Sequence, residues 1–317
     1  VLTDPLPSLQ EICQFSAAEC LVGSASGGVG NYTFEWFEVS DPTTPLQSDS
    51  NVTTSTFCPP STLEGTFDYY YIVTTDVTDA DCETQSGTAQ VIVNLPPSID
   101  TQPLITQTVC EDGATQSLEV SYINGVGLPS YQWYVSATCD TTDLSNPIGG
   151  ATLASFTPPS TPVGTLYYFS VLTFAEGGCG AITSDCAEVI VVTDPEINIT
   201  TPLSYTICID GEIGDIETTV SGGVGTATYT WYRDGSVVSS GIDFTSYNPT
   251  VGEPSIFGTA GTYEFLAEVN FDGSGCDLAT SETVTVTVVD DPVLTDPLPS
   301  LQEICQFSAA ECLVGSA

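Results

Sequence analysis

Apolar and polar positions alternate with a period of two through most of the chain's apolar stretches. In TYEFLAEVNF (262–271), Tyr263, Phe265, Ala267 and Val269 fall on one side, and Glu264, Glu268 and Asn270 on the other. That is the pattern of a strand with one buried and one wet face. Similar stretches rich in Val, Thr, Tyr and Phe recur between clusters of Gly, Pro, Asp and Ser, and no stretch sustains a helical period. Three of them carry a central Trp: YTFEWFEV (32–39), SYQWYVS (130–136) and TYTWYRDG (228–235). Each follows a glycine-rich turn, SGGVGN, INGVGL or SGGVGT. The strands after a Gly-Thr pair are GTFDYYYIVTT, GTLYYFSVLTF and GTYEFLAEVNF, and the last strands are GTAQVIVNL, CAEVIVV and ETVTVTVV. About seven strands around one Trp, three times over, predict three antiparallel β-sandwiches.

The spacing fixes the repeat. Cys13, Cys110, Cys208 and Cys305 fall 97, 98 and 97 residues apart; Cys82, Cys179 and Cys276 fall 97 and 97 apart; Trp36, Trp133 and Trp231 fall 97 and 98 apart. This is repetition at domain length, with expected domains at 1–97, 98–195 and 196–292. Residues 293–317 repeat residues 1–25 letter for letter. The expectation is therefore one three-domain period and the start of the next identical one, within a long tandem array of elongated form.

Twelve cysteines in such units point to an oxidising compartment. The third domain holds only Cys208 and Cys276, so these are expected to pair. By position the same rule gives Cys13–Cys82 and Cys110–Cys179, which leaves Cys20–Cys58 and Cys139–Cys186. An alternative stands beside this one: Cys110 reaching Cys276 of the next domain, so that neighbours are stapled together. A metal site is disfavoured, since the chain has no CxxC pair and no His.

Charge narrows the function. The chain has 41 acidic residues, one basic residue (Arg233) and a formal net charge of −40. Nucleic acid is excluded as a partner, because phosphate binding needs Lys and Arg. No apolar run is long enough for membrane insertion. With no His or Lys for acid–base or nucleophilic work, and no distinguished carboxylate pair, no enzymatic activity is expected. Self-repulsion at this charge is strong in dilute buffer and mostly screened at high salt.

Two further features bear on partners. Carrying the third domain's register to the others turns Tyr70 and Ile72 outward in the first, and Tyr167, Phe169 and Val171 outward in the second. A strand apolar on both faces reads as a lateral contact between chains or domains. Asp76, Asp79, Asp81 and Glu83 in DVTDADCE, and Asp290 and Asp291 at VVDDP, offer oxygen ligands of the kind Ca²⁺ takes; a solvated acidic surface is the plain alternative.

Taken in order, Pro-x-Ile, a Cys with a nearby Gly, SGGVG…Y-x-W-[FY], GT-x-[YF] and Gly-Cys-x-x-x-[ST] resemble the immunoglobulin-like repeats of giant Bacteroidota surface proteins. These are gliding adhesins and related modules exported by type IX secretion, and the likeness extends to the filament proteins of grappling hooks in predatory marine gliding bacteria. The resemblance implies an all-β fold of tandem immunoglobulin-like domains and an extracellular, cell-surface attached location. It implies a structural repeat of a very long filament or stalk giving reach and tensile strength, bundled as a homo-oligomer of identical chains. The alternative is an adhesin repeat that binds surface glycans.

Overall fold

A computed structural model of the chain describes residues 2, 5–28, 30–76 and 82–293. Its strands come in three sets. In the first, the main sheet runs Leu9–Cys13, Ala89–Asn94, Gly65–Thr75, Tyr32–Glu38 and Gln47–Ser50, with Glu83–Gln85 also on Gly65–Thr75. The facing layer pairs Leu21–Ser24 with Thr54–Phe57. The second set orders Thr106–Cys110, Ala187–Val192, Gly164–Phe174 and Ser130–Ser136, with Gly180–Thr183 on Gly164–Phe174. The third orders Ser204–Cys208, Val284–Val289, Gly261–Phe271, Ala227–Arg233 and Ser236–Ile242, against a layer of Glu196–Ile199, Ile216–Ser221 and Ser246–Tyr247. By contacts the chain divides into two compact units: Val1–Gln107, Gln116–Pro159 and Thr165–Ile190, and Thr108–Thr115, Ser160–Gly164 and Val191–Ala317. The first unit holds domain 1 and most of domain 2. The second holds domain 3 with two turns of domain 2.

The Trp-centred alternation builds each core. Trp36, Trp133 and Trp231 are fully buried. Each indole N–H finds an acceptor: Ser55 Oγ at 2.8 Å, Leu153 O at 2.9 Å and Phe244 O at 2.9 Å. That satisfies the one polar atom a buried Trp carries. Phe57, Phe156 and Tyr247 pack on the three indoles from the facing layer. In domain 3, Phe265, Ala267 and Val269 are buried as the alternation predicts, with Glu264 and Asn270 exposed. In domain 1, burial pushes the Tyr69 phenol up to about 12, with Glu38 adding to it.

One pairing departs from the antiparallel expectation. The first strand of the main sheet runs parallel to the last: Cys13 lies opposite Asn94, and Cys208 opposite Val289. The first repeated Cys is therefore at the end where the last strand finishes. The second repeated Cys lies at the other end, before the last strand begins. Along Gly65–Thr75 the marks are Gly65 opposite Val93 and Thr74 opposite Glu83, the neighbour of Cys82. Nine residues of strand separate them, on the order of 30 Å.

A hydroxyl recurs beside each Trp-facing strand. Ser86, Ser184 and Ser281 each accept from a backbone N–H of that strand, at Tyr71, Ser170 and Ala267 respectively, all at 2.9 Å. Ser170 occupies the place of Ala267, opposite Trp133 as Ala267 is opposite Trp231. Its own hydroxyl is buried without a hydrogen-bond partner, which costs free energy that Ala does not. Ser170→Ala is expected to stabilise domain 2 by about 1 kcal/mol, seen by calorimetry as a higher midpoint. Ser184→Ala, which strips the acceptor from Ser170 N–H, is expected to lower it. A lower midpoint for Ser170→Ala would mean that its hydroxyl is satisfied in solution.

Candidate functional site: the stapled junction

The same turn follows the first strand in all three domains. Cys13 O accepts from Ser16 N at 3.1 Å, Cys110 O from Gly113 N at 3.0 Å and Cys208 O from Gly211 N at 2.9 Å. The third residue of each turn is left-handed: Phe15 (φ 68°), Asp112 (φ 60°) and Asp210 (φ 59°). Its N–H bonds Ser61 O, Ser160 O or Phe257 O, while the residue before it bonds the last strand at Asn94 O, Val192 O or Val289 O. Both sides of the turn are thus tied to the body of their own domain, and the Cys is held rigidly.

What the turn meets is the loop of the next domain. In the first unit, Cys13 N donates to Gly177 O at 2.7 Å and Ser16 Oγ to Gly178 O at 2.7 Å. Gly125 N, in the glycine-rich turn of domain 2, donates to Leu95 O in the linker at 3.0 Å. In the second unit, Cys110 N donates to Ser274 O at 2.9 Å, Ser274 Oγ to Ala114 O at 2.8 Å, and Gly223 N to Thr193 O at 2.9 Å. The approach is close enough that a Cβ on Gly275 (φ +78°) would lie 2.0 Å from Gly113 Cα. Each junction is closed by a disulfide, Cys13–Cys179 with Cα atoms 5.1 Å apart and Cys110–Cys276 with Cα atoms 5.0 Å apart. Cys13 and Cys110 are buried there.

This corrects the expected pairing for half of the cysteines. Cys13–Cys82, Cys110–Cys179 and Cys208–Cys276 do not form, because the two cysteines of one domain sit at opposite ends of its main sheet. A disulfide tolerates Cα atoms no more than about 7 Å apart. Cys82 and Cys208, expected to be bonded, are exposed thiols. The other two pairs are as expected. Cys20–Cys58 flanks the antiparallel pair Leu21–Phe57, so the two sulfurs face one another directly. Cys139–Cys186 closes a loop of domain 2.

The outward aromatics are also corrected. Tyr70, Phe169 and Val171 do lie on the face opposite the Trp, as the register requires, yet they are buried. Tyr70 stacks on Phe37 with centroids 5.5 Å apart, and Phe169 on Tyr134 at 5.4 Å. Ile72 and Tyr167 are half-buried, and Tyr167 donates to Glu188 Oε1 at 2.9 Å. Tyr70, Phe169 and Val171 thus present little surface for the lateral contact expected of them, whereas Ile72 and Tyr167 keep part of theirs.

Of the acidic residues, Asp76 accepts from Asn31 N and Nδ2, both at 2.9 Å, which ties its loop to the start of the Trp strand. Glu83 begins a short strand and is exposed, as are Asp290 and Asp291; Asp79 and Asp81 lie outside the described residues. Among the described residues no three His, Cys, Asp or Glu side chains converge as a metal site would need. Asp140 is held below its usual range by hydrogen bonds from the Thr142 hydroxyl and backbone N–H, and Asp41 in the same way by Thr43. These carboxylates shape turns.

Comparison with known proteins places the fold. A family described as a domain of unknown function (DUF8696) matches residues 104–193. No curated protein matches the chain. Among solved structures the chain is similar to the I-band fragment I67–I69 of titin, at 12% identity and a TM-score of 0.50, over 90% of this chain and 97% of that one. It also matches a three-Ig titin I67–I69 structure carrying Glu-to-Ala mutations, at 11% identity and 0.48, over 92% and 98%. A complex of Dpr2 Ig1–Ig2 with DIP-Theta Ig1–Ig3 matches at 12% and 0.36, over 92% and 99%. The chain is thus a tandem of immunoglobulin-like domains. The four disulfides among the described residues fit an oxidising, extracellular setting.

Gly275→Ala tests the junction. The added methyl meets Gly113 backbone, which cannot yield as a flexible side chain would. The variant is expected to keep its strand content by circular dichroism but to show two additional thiols, assigned to Cys110 and Cys276 by mass spectrometry of Glu-specific digests. Normal Cys110–Cys276 pairing in the variant would show that the close approach is not required.

Proposed function

We propose that this chain is a load-bearing segment of a long extracellular fibre, built to give reach with little stretch. The interdomain disulfides carry this reading. Between Cys13 and Cys208 the backbone holds 195 residues, whereas the path that crosses Cys13–Cys179 follows only the 29 from Cys179 to Cys208. Fully extended, those lengths are about 680 Å and about 100 Å, at roughly 3.5 Å per residue. Laid end to end, the 11-residue longest strands of domains 2 and 3 would measure about 75 Å. Loss of all tertiary structure therefore lengthens the stapled stretch by only about a third. A binding module has no need of such a limit; a cable does.

Composition supports the same setting. A single Arg and no Lys leave trypsin-like proteases one site, and covalent staples, unlike surface ion pairs, keep their strength at any ionic strength.

Single-molecule pulling through the termini tests the proposal. The shortest covalent route runs from Val1 to Cys13, across to Cys179, on to Cys186, across to Cys139, back to Cys110, across to Cys276 and on to Ala317. It gives a final contour length of about 330 Å for the oxidised chain, against about 1,100 Å after reduction. Equal contour lengths before and after reduction would overturn the load-bearing role of the staples.

A further inference from the structure

Two thiols are left over, and they are complementary. Cys208 ends the first strand of domain 3 in the same turn that holds Cys13 and Cys110, hydrogen bond for hydrogen bond. Cys82 precedes the last strand of domain 1 as Cys179 and Cys276 do in theirs. Both are exposed, while the bonded counterparts of Cys208, Cys13 and Cys110, are buried and those of Cys82, Cys179 and Cys276, are half-buried. The domain carrying Cys82 also presents an open recess of about 150 Å³ lined by Gly27, Gly28, Tyr32 and Cys82. Gly28 stands eight residues before its Trp, as Gly125 and Gly223 do. In domains 2 and 3 those glycines receive the linker carbonyl of the preceding domain, from Leu95 and Thr193. The recess is the same receiving surface, open.

We infer that Cys208 of one unit forms a disulfide with Cys82 of a following copy of the same unit, whose domain 1 docks on the Cys208 turn. This rests on reading the chain as a repeat of a tandem array. The repeat itself supplies the partner. Residues 293–317 repeat 1–25, a period of 292, which puts the following copy's Cys82 166 residues after Cys208; both observed interdomain disulfides have a sequence separation of 166. The step joins two thiols. With oxidised glutathione as oxidant, one thiolate attacks its disulfide to give a mixed disulfide and release one glutathione. The second thiolate then displaces the other glutathione, and the two thiol protons leave on the two glutathiones.

The consequence is covalent continuity. One route runs Cys13, Cys179, Cys208 and the following copy's Cys82, and goes on to that copy's Cys110. A second starts at Cys110, crosses to Cys276 and follows the chain into the next copy at Cys305, the counterpart of Cys13. Each route passes two domains for every 28 or 29 residues of backbone. Because a unit has three domains, the route that begins on domain 1 in one copy begins on domain 2 in the next. The two routes alternate along the array and share the load.

The test is a single chain carrying residues 1–292 twice, followed by 293–317, refolded in a glutathione redox buffer with about 0.5 M NaCl to screen the acidic surfaces. Glu-specific digestion without reduction, followed by mass spectrometry, is expected to yield a linked peptide joining Cys208 of the first copy to Cys82 of the second. The chain should also titrate two fewer thiols than it does with Cys208→Ser in the first copy plus Cys82→Ser in the second, once the two removed residues are counted back. That double variant keeps every other disulfide and serves as the folding control. Finding both cysteines as thiols, or either one bonded elsewhere, overturns the inference. The pulling result on the single unit would stand regardless, since it uses only Cys13–Cys179, Cys139–Cys186 and Cys110–Cys276.

Discussion

The parallel pairing of the first strand with the last is the constraint from which the rest of the molecule follows. A five-residue register, Leu9 opposite Gln90 through Cys13 opposite Asn94, sends the first repeated cysteine to the far end of its own sandwich. Once there, it is out of reach of its domain partner and next to the loops of the domain that follows. An antiparallel first strand would have reversed this and made each domain self-contained. One choice of strand direction thus decides whether the sulfurs stabilise domains singly or join them.

Much of the fold was legible in the residues, and the part that was not has a definite cause. Strand alternation, the three Trp positions and the repeat length all follow from side-chain spacing, because burial on one face of a sheet forces a period of two. Cys20–Cys58 and Cys139–Cys186 were legible because no periodic rival exists for them. The choice between Cys13–Cys82 and Cys13–Cys179 was not, because the two differ by one domain length and every spacing rule that permits the first permits the second. Only the direction of the first strand separates them. LQEIC, five residues with Gln10 and Glu11 between the apolar positions, carries no mark of direction. The small residues Gly113, Gly177 and Gly275, set where neighbouring backbones come together, are the nearest thing to a signal.

The outward aromatics mislead for a related reason. Alternation says which face a side chain takes, and Tyr70 and Phe169 take the face assigned to them. It does not say what covers that face. In domain 3 the corresponding positions include Glu264 and Glu268, with Glu264 exposed and Glu268 accepting from Tyr232 at 2.7 Å. In domains 1 and 2 the Glu268 position holds Ile72 and Val171, and the position of Leu266, opposite Tyr232, holds Tyr70 and Phe169, stacked on Phe37 and Tyr134. Repeats that share a backbone plan therefore differ in what their outer sheet can do, and a surface argument drawn from one does not transfer to the next.

Joining domains at two points changes their mechanics as well as their length. A lone peptide linker such as Leu95-Pro96-Pro97 leaves its neighbours free to twist about one bond path. A second covalent tether at Cys13 lies on the adjacent strand, about 5 Å away, and removes that freedom. The hydrogen bonds of Cys13 N and Ser16 Oγ to the Gly177–Gly178 loop fix the remaining angle. Ionic attraction cannot supply this stiffness in a chain with a net charge of −40, whose one Arg is already held by Glu253 and Asp234. Charge of one sign pushes neighbouring domains apart, and that push loads the two tethers in tension. Covalent bonds bear tension without loss, whereas a hydrophobic interface of the same small area would be prised open. The acidic surface and the staples are in this sense one design: repulsion keeps the junction taut, and the disulfides set how far it opens.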